Sequence, residues 1–182
     1  MKKLCVIFLA VVGLSACSSL PTELATDSKQ PVTNYQQWVN TNPSQTVDVR
    51  LGGVISKVTN LQDKTRIEIV NLPIDAAGKP DISQEPQGRF VAYLDGFVEP
   101  MTFSQGRLIT VAGKSMPPET DKVGDYNYTF PVMNATGQHL WTIEKTTYIE
   151  NDFMMGGCFR GAWRCGGFGY GPTRAEVIQQ VK

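Results

Sequence analysis

The sequence has a single histidine, His139, among its 182 residues. A zinc site built from several imidazoles is therefore excluded, since such sites need three or four nitrogen or sulfur ligands. His139 precedes Leu140 and Trp141, and an imidazole in such a strand is expected to make one structural hydrogen bond. We find no catalytic motif and no metal-ligand spacing, and the sequence predicts neither a cofactor nor a metal site.

The sequence also lacks a long apolar run. The longest, Leu4–Leu14, has 11 residues, against the ~20 that a membrane-spanning helix needs. It follows Lys2 and Lys3 and precedes the small residues Ser15 and Ala16, which is the layout of a removable secretory signal.

An excess of one charge is missing too, since loss of Lys2 and Lys3 from the 17 basic side chains leaves 15 against 17 acidic ones. This balance argues against nucleic acid as a partner.

The signal ends in "LSAC", residues 14–17, which resembles the lipobox of bacterial lipoproteins at every position. The resemblance implies a diacylglyceryl thioether on Cys17, cleavage before it and acylation of the new terminus. Ser18 stands where aspartate would retain such a protein in the inner membrane, which implies anchoring to outer-membrane lipid on the periplasmic side. The alternative is an ordinary cleavage nearby that leaves Cys17 as a thiol.

Two further cysteines, Cys158 and Cys165, remain in the exported chain, because Cys5 leaves with the signal. In an oxidising compartment they are expected to form a disulfide. The alternative is Cu(I) ligation together with Met154 and Met155. That alternative needs reduced thiolates, which a disulfide does not supply.

Residues 47–150 have the composition and alternation of β-strands and no convincing helical period. "KTRIEIVNL" places Ile67 and Ile69 on one face and Arg66 and Glu68 on the other. The glycine pair in "VDVRLGGVISKV" indicates a bend in a first strand long enough to serve two sheets. These patterns predict a mainly β fold, a small OB-like β-barrel of about five or six strands.

Short helical turns are predicted near both ends of the exported chain. "NYQQWV" follows Thr33, which has capping-box spacing to Gln36, and "RAEVIQQVK" follows Thr173, which has the same spacing to Glu176. The predicted segments are a signal peptide (1–16), a lipidated tether (17–33), a β-barrel domain (34–150) and a tail rich in glycine and aromatic residues with a short terminal helix (151–182).

Six segments taken in order resemble the Slp family of outer-membrane lipoproteins: "VRLGGVISKVTN", "TRIEIVNLPIDAAGKP", "GRFVAYLDGFVEP", "GRLITVAGK", "VGDYNYTFPVM" and "LW". The resemblance covers residues 15–142. It implies an envelope lipoprotein associated with starvation and envelope stress in Gram-negative bacteria, with no defining enzymatic activity or cofactor. Leu51 departs from the pattern, which has an aromatic residue before the glycine pair, and the Cys158–Cys165 segment is particular to this chain.

Two sets of charged residues are candidates for chemistry. Asp95 and Glu99 in "LDGFVEP" could act as paired carboxylates, and turn formation around Gly96 is the alternative. Arginines that begin strands or lie in the tail could contact anions, although those on strands could equally pair with Glu68 or Asp95 across the sheet. The candidate anion contacts are Arg89, Arg107, Arg160 and Arg164.

Long loops are predicted over residues 73–87 and 115–124, either as binding loops or as plain connections. Together the patterns predict a lipid-anchored, non-enzymatic envelope protein, a structural or interaction module with an envelope protein or glycan as partner. The alternative is a ligand-binding module for a lipid, glycan or peptide. That alternative predicts a concave pocket with converging polar groups.

Overall fold

The computed structural model describes residues 19–41, 43–150 and 174–182. The described chain divides into two units, Met1–Trp141 and Thr142–Lys182, whereas the sequence predicted the boundary after residue 150. In chain order the elements are a 3₁₀ turn (Thr22–Leu24), α1 (Tyr35–Val39), β1 (Asp48–Asn60), β2 (Lys64–Leu72), β3 (Gly88–Asp95), β4 (Leu108–Val123), β5 (Tyr126–Trp141), β6 (Ile143–Glu150) and β7 (Arg174–Val181).

Five strands of the first unit pair in the closed order β1-β2-β3-β5-β4. Neighbours are antiparallel except β3 and β5, which run parallel where Val91 faces Val132. β1 closes the ring because its residues 52–60 pair with β2 and its residues 48–54 pair with β4. The prediction of a mainly β fold whose first strand serves both neighbours is confirmed.

The glycine pair of β1 lies where the backbones of β1 and β2 approach closely. A Cβ atom on Gly53 would stand 1.9 Å from the Val70 carbonyl oxygen of β2, so only glycine permits this approach of the two backbones. The register shift itself comes slightly later, between Ile55 and Lys57. The bend therefore extends over both the glycines and the following residues.

Alternate residues of the strands fill the barrel, as a period of two requires. Leu51, Ile67, Ile69 and Phe90 are all at most 1% exposed. Trp38 of α1 packs its ring edge-on against Phe90, with the centroids 5.9 Å apart. The predicted helical turn is confirmed.

Beyond the barrel, β4 and β5 continue as a long hairpin, which we call the arm (residues 115–132). Its Phe130 and Val132 pack with Val91 of β3 as a second small core, all at most 2% exposed. The predicted loop over residues 115–124 is wrong, because most of that segment belongs to β4. The other predicted loop, residues 73–87, lies between β2 and β3, with an isolated bridge between Ile74 and Pro80.

The residues before α1 lie along the barrel wall. Leu24 is fully buried, and its carbonyl oxygen accepts a hydrogen bond from Arg50 Nε at 2.8 Å. Val32 forms a parallel bridge with Val49. The sequence assigns these residues to the tether, but the burial of Leu24 holds residues 20–32 against the strands, and we call them the N-terminal segment.

The second unit contains a two-stranded antiparallel sheet of β6 and β7. Its pairs run from Ile143↔Val181 to Glu150↔Arg174. The predicted terminal helix is therefore wrong. Capping-box spacing is worth only about 1 kcal/mol, and β-branched residues such as Val177 and Ile178 favour a strand once a partner strand is present.

Candidate functional site

An apolar cleft of about 250 Å³ opens between α1, the turn that follows it, and the base of the arm. No charged side chain is among its described lining residues. They are Trp38, Val39, Thr41, Pro43, Gln45, Ser115, Met116, Pro118, Thr129, Pro131 and Val132.

The cleft exists because prolines interrupt the β4–β5 ladder. The register passes from Met116↔Val132 to Glu119↔Phe130, which leaves Pro117 and Pro118 opposite Pro131. Proline has no backbone N–H, so neither strand can donate a ladder hydrogen bond at this point. The register of the two strands shifts where the arm leaves the barrel, and the cleft lies beside that shift.

The polar groups at the cleft wall are engaged within the protein. The Ser115 hydroxyl accepts the Val47 N–H at 2.9 Å and donates to the Gln45 carbonyl at 3.3 Å. By contrast, Val39 and Met116 are 47% and 41% exposed. Since no charged side chain is among the described lining residues, the chemistry of the cleft suits an apolar chain.

A buried cluster of charges lies beneath the arm. Arg66 of β2 is 8% exposed and Glu68 is 4% exposed. Arg66 Nη1 lies 2.5 Å from Glu68 Oε1, and its Nε lies 2.7 Å from Glu119 Oε1 on the arm. Tyr93 donates its hydroxyl hydrogen to the other Glu119 oxygen at 2.7 Å, and Arg66 Nη2 lies 3.3 Å from Asp121 Oδ2. The arm thus supplies the anions that accompany this arginine into the interior.

Electrostatics keep Arg66 charged in this setting. Burial would lower the pKa of Arg66, but the hydrogen bonds with Glu68 and Glu119 outweigh it, and the pKa lies above its ordinary value. Burial, followed by the hydrogen bond to Glu119, raises the pKa of Tyr93. Tyr93 therefore stays a neutral donor while Arg66 remains a cation.

Sequence reasoning missed this cluster. It placed Arg66 and Glu68 on the polar face of β2, which ordinarily faces water, and offered Arg89 or Arg107 as the partner of Glu68. In the part of the chain that the structure describes, Glu68 pairs with Arg66, while Arg89 and Arg107 form no ion pair. The sequence did not reveal that β4 and β5 extend into the arm, because "SMPPETDKVG" resembles a loop.

The structure does not bring Arg89 and Arg107 together. Arg89 is the second residue of β3 and Arg107 precedes β4, and on this side of the ring β2 and β1 lie between those strands. The backbone of Arg89 is held by two tyrosines: its carbonyl accepts from Tyr35 Oη at 2.9 Å and its N–H donates to Tyr128 Oη at 3.2 Å. Burial and the contact with Tyr128 raise the pKa of Tyr35. These tyrosines link α1 to the arm, next to the cleft.

Asp95 and Glu99 are exposed; Asp95 ends β3, and Glu99 makes turn contacts. The Glu99 carbonyl accepts the N–H groups of Thr102 and Phe103 at 3.0 Å each, and Glu99 Oε1 accepts that of Met101. Paired-carboxylate catalysis needs one carboxyl in an apolar setting, which neither has. The turn interpretation fits this geometry.

His139 Nδ1 lies 2.6 Å from Glu23 Oε1, and its ring meets the edge of Trp141 at a centroid distance of 4.2 Å. It thus has one polar partner, as expected of a structural histidine. Among the described residues, no three His, Cys, Asp or Glu side chains are grouped closely enough to hold a metal ion. The remaining candidate residues lie outside the described residues: Cys17, Cys158, Cys165, Arg160 and Arg164.

Comparison with known proteins identifies the family of this chain. The Outer membrane lipoprotein Slp family matches residues 14–168. The chain belongs to that family. Two relatives come from Escherichia coli K12: "Uncharacterized lipoprotein YeaY", 31% identical over 91% of this chain and 89% of its own length, and "Outer membrane protein Slp", 28% identical over 92% and 89%. A Haemophilus influenzae protein is 41% identical over 55% of this chain and 54% of its own.

No solved structure is significantly similar to this Slp-family chain. Its described residues contain no helix with the length and hydropathy needed to cross a bilayer. The names of the E. coli relatives support an envelope lipoprotein of the outer membrane. The family match begins at Leu14 and so includes the "LSAC" segment.

Acid is expected to release the N-terminal segment. A hydrogen bond from the Ser28 N–H, followed by one from Lys114, lowers the pKa of Asp48. A backbone hydrogen bond, followed by one from His139, lowers the pKa of Glu23. Carboxylates with lowered folded pKa values stabilise the packing above their ordinary value of about 4, and this stabilisation is lost as pH falls through the folded pKa.

Hydrogen exchange corrected for intrinsic rates measures this effect. Protection of the Val32 and Arg50 amides, which bridge segment and barrel, is expected to fall between pH 6 and pH 3, while the Ile69 amide keeps its protection. Asp48→Asn should lower the protection at pH 6 and weaken its pH dependence. Equal losses at Val32 and Ile69 would show unfolding of the whole barrel instead.

Proposed function

We propose that this Slp-family chain is an acylated lipoprotein of the outer membrane that faces the periplasm and acts as a non-enzymatic structural or interaction module, active in starvation or envelope stress. The observation that carries the proposal is the "LSAC" lipobox inside the family match. Acyl chains on Cys17 would confine the domain to the membrane surface. Confinement raises its effective concentration toward envelope proteins or glycans there without any new contact.

The non-enzymatic part of the proposal has support from the described ionisable groups. Arg66 and Glu119 form a cluster beneath the arm, with Tyr93 as neutral donor. His139 binds Glu23. Each of these groups holds one element against another, which is a structural use.

The test is metabolic labelling with an alkyne analogue of palmitate. The wild-type chain is expected to carry the label, and a Cys17→Ala variant expressed to the same level is expected to carry none. Label retained by Cys17→Ala, or absent from both, would overturn the proposed anchor. Capture from cross-linked envelopes, with and without the anchor, then tests whether a partner depends on membrane confinement.

The cleft favours a second candidate, a ligand-binding module. Its volume of about 250 Å³ is below the ~300–1,000 Å³ typical of drug-sized ligands, and its wall is apolar. A lipid acyl chain fits these properties better than a glycan, which needs several polar contacts.

A brominated fatty acid tests this candidate, because it would quench Trp38 emission from within the cleft. Met116→Glu places a charge at the wall and is expected to weaken binding about tenfold or more. Tyr126→Glu changes an exposed aromatic residue at the far end of the arm and serves as the control. Equal affinity for both variants would place the fatty acid elsewhere.

A further inference from the structure

In the part of the chain that the structure describes, β6 and β7 form a sheet of only two strands. An isolated two-stranded sheet is marginally stable in water and normally needs a third strand or a packed face. Apolar side chains on this sheet meet solvent, since Tyr148, Val177 and Ile178 are 55%, 55% and 45% exposed. An edge beside exposed apolar side chains is where a further strand can add.

The ladder between β6 and β7 determines which backbone groups the outer edge of β7 presents. Thr142 and Lys182 exchange both backbone hydrogen bonds, at 2.7 and 2.8 Å, and the register of the ladder has no shift. Hydrogen-bonded and non-hydrogen-bonded pairs alternate along an antiparallel ladder, so the even-numbered residues of β7 bond to β6. The odd-numbered residues Val177, Gln179 and Val181 therefore direct their N–H and C=O groups away from β6.

We propose that β7 pairs antiparallel with β7 of a second copy of this chain, so that the two sheets become one continuous sheet. Gln179 lies opposite its own equivalent at a two-fold axis, and Val177 lies opposite Val181 of the second copy. Each of these pairs exchanges both backbone hydrogen bonds through groups that point outward. Such an isologous contact closes on itself as a dimer. The inference goes beyond the proposed function and does not require acylation of Cys17.

Charge complementarity selects this register. It sets Glu176 opposite Lys182 of the second copy, and the two-fold axis repeats the pair. These residues form a non-hydrogen-bonded pair, in which the Cα atoms are ~4.5 Å apart and the side chains interact directly. Registers centred one or two positions earlier place Glu176 opposite Gln180 or Ile178, which carry no charge.

The outer edge of β6 is less suited to the same contact. Its described charged side chains are Glu144 and Lys145, which are neighbours and so point to opposite faces of the strand. Two copies of β6 therefore cannot set these opposite charges against each other. Glu144 instead binds Lys182 Nζ of its own sheet at 2.5 Å. In the paired sheets Lys182 lies between this carboxylate and that of Glu176 from the second copy.

Cysteine cross-linking in cells tests the pairing. Gln179→Cys in the full-length chain sets two thiols on Cα atoms about 5.5 Å apart across the two-fold axis, within the range of a disulfide. The matched control is Lys145→Cys, because Lys145 lies opposite Gln179 in the same ladder and is also exposed. Three strand spacings, about 14 Å, separate the two copies of position 145.

The expected result is a disulfide-linked dimer on non-reducing electrophoresis. Gln179→Cys should give about tenfold more of it than Lys145→Cys, whose Cα separation exceeds the range of a disulfide. The unchanged chain provides the baseline, since it carries the same native cysteines.

Charge reversal in the Gln179→Cys background tests the register. Glu144→Lys combined with Lys182→Glu keeps an ion pair within each sheet but sets like charges against Glu176 of the second copy. The dimer is expected to fall about tenfold. Addition of Glu176→Lys makes the facing charges opposite again and is expected to restore the dimer. Both variants share the first two substitutions, so damage to the sheet itself would affect them equally.

The other outcomes overturn the pairing. No dimer at position 179, equal dimer at positions 179 and 145, or a dimer that is insensitive to charge reversal would each contradict it. A disulfide from Gln179→Cys to a different protein, or to a native cysteine of the same chain, would show another occupant of this edge. Palmitate labelling of the same samples reports Cys17 independently, so an acylated chain without the dimer refutes the pairing and leaves the proposed anchor standing.

Discussion

A chain that begins at Ser18 and is exported behind an ordinary, fully cleaved signal peptide is expected in the soluble periplasmic fraction. The acylated wild type is expected in the outer membrane. Each buried methylene contributes ~0.8 kcal/mol, and two or more acyl chains hold a protein stably on a bilayer where one holds it only reversibly. Sucrose-gradient fractionation with an antibody to the barrel measures the shift, which should include nearly all of the protein.

The chain that begins at Ser18 avoids a confounding effect that replacement of Cys17 alone would have. Cys17→Ala alone leaves Leu4–Leu14 attached if cleavage needs the lipid, and that apolar run could keep the chain on the inner membrane. Thermal unfolding of the Ser18 form provides the control for folding. A folded Ser18 form that still sediments with the outer membrane would show that Cys17 is not the main attachment.

Arg66→Met is expected to destabilise the barrel by about 3–5 kcal/mol, because removal of one partner from a buried ion pair leaves the other charge poorly compensated. Glu68 would keep only the exposed Lys57, whose Nζ lies 4.0 Å from Oε1. Glu68 is 4% exposed and would lose its contact with Arg66 Nη1. Glu119 would lose its contact with Nε as well, although it keeps the Tyr93 hydroxyl. Urea unfolding followed by far-UV circular dichroism measures the change.

Two further variants test whether the buried charges cause the loss of stability in Arg66→Met. Arg89→Met removes a half-buried arginine that forms no ion pair among the described residues, and it should cost less than about 1 kcal/mol. Arg66→Met combined with Glu68→Leu removes both charges of the shortest contact and should recover much of the loss, since apolar replacement of a buried pair is often neutral. Similar losses for Arg66→Met and Arg89→Met would contradict the buried-cluster interpretation.

The strands that were predicted correctly carry their signal locally. Ile67 and Ile69 alternate with Arg66 and Glu68, and a period of two needs no knowledge of the rest of the chain. The environment of the outer face of β2 could not be predicted from the local sequence. Whether Arg66 meets water or the arm depends on residues about 50 positions later, which fold back only because β4 and β5 extend past the barrel.

The incorrect predictions have the same origin. The segment "SMPPETDKVG" contains two prolines and resembles a loop, yet it forms a strand because β5 supplies a partner on both sides of the prolines. Residues 174–181 have weak helix-capping signals, and pairing with β6 decides their conformation. The cleft could not be predicted either, since it brings Trp38 of α1 beside Met116 and Pro131 of the arm.

The sequence by itself determined the mainly β character and the family, because each is written in adjacent residues or in motifs taken in order. The export signal and the lipobox at Cys17 stay predictions of the same local kind. Only the tertiary structure decided that the N-terminal segment lies on the barrel and that the arm buries Arg66. These outcomes depend on contacts between residues far apart in the chain. Such contacts are set by packing and charge pairing, and no short pattern records them.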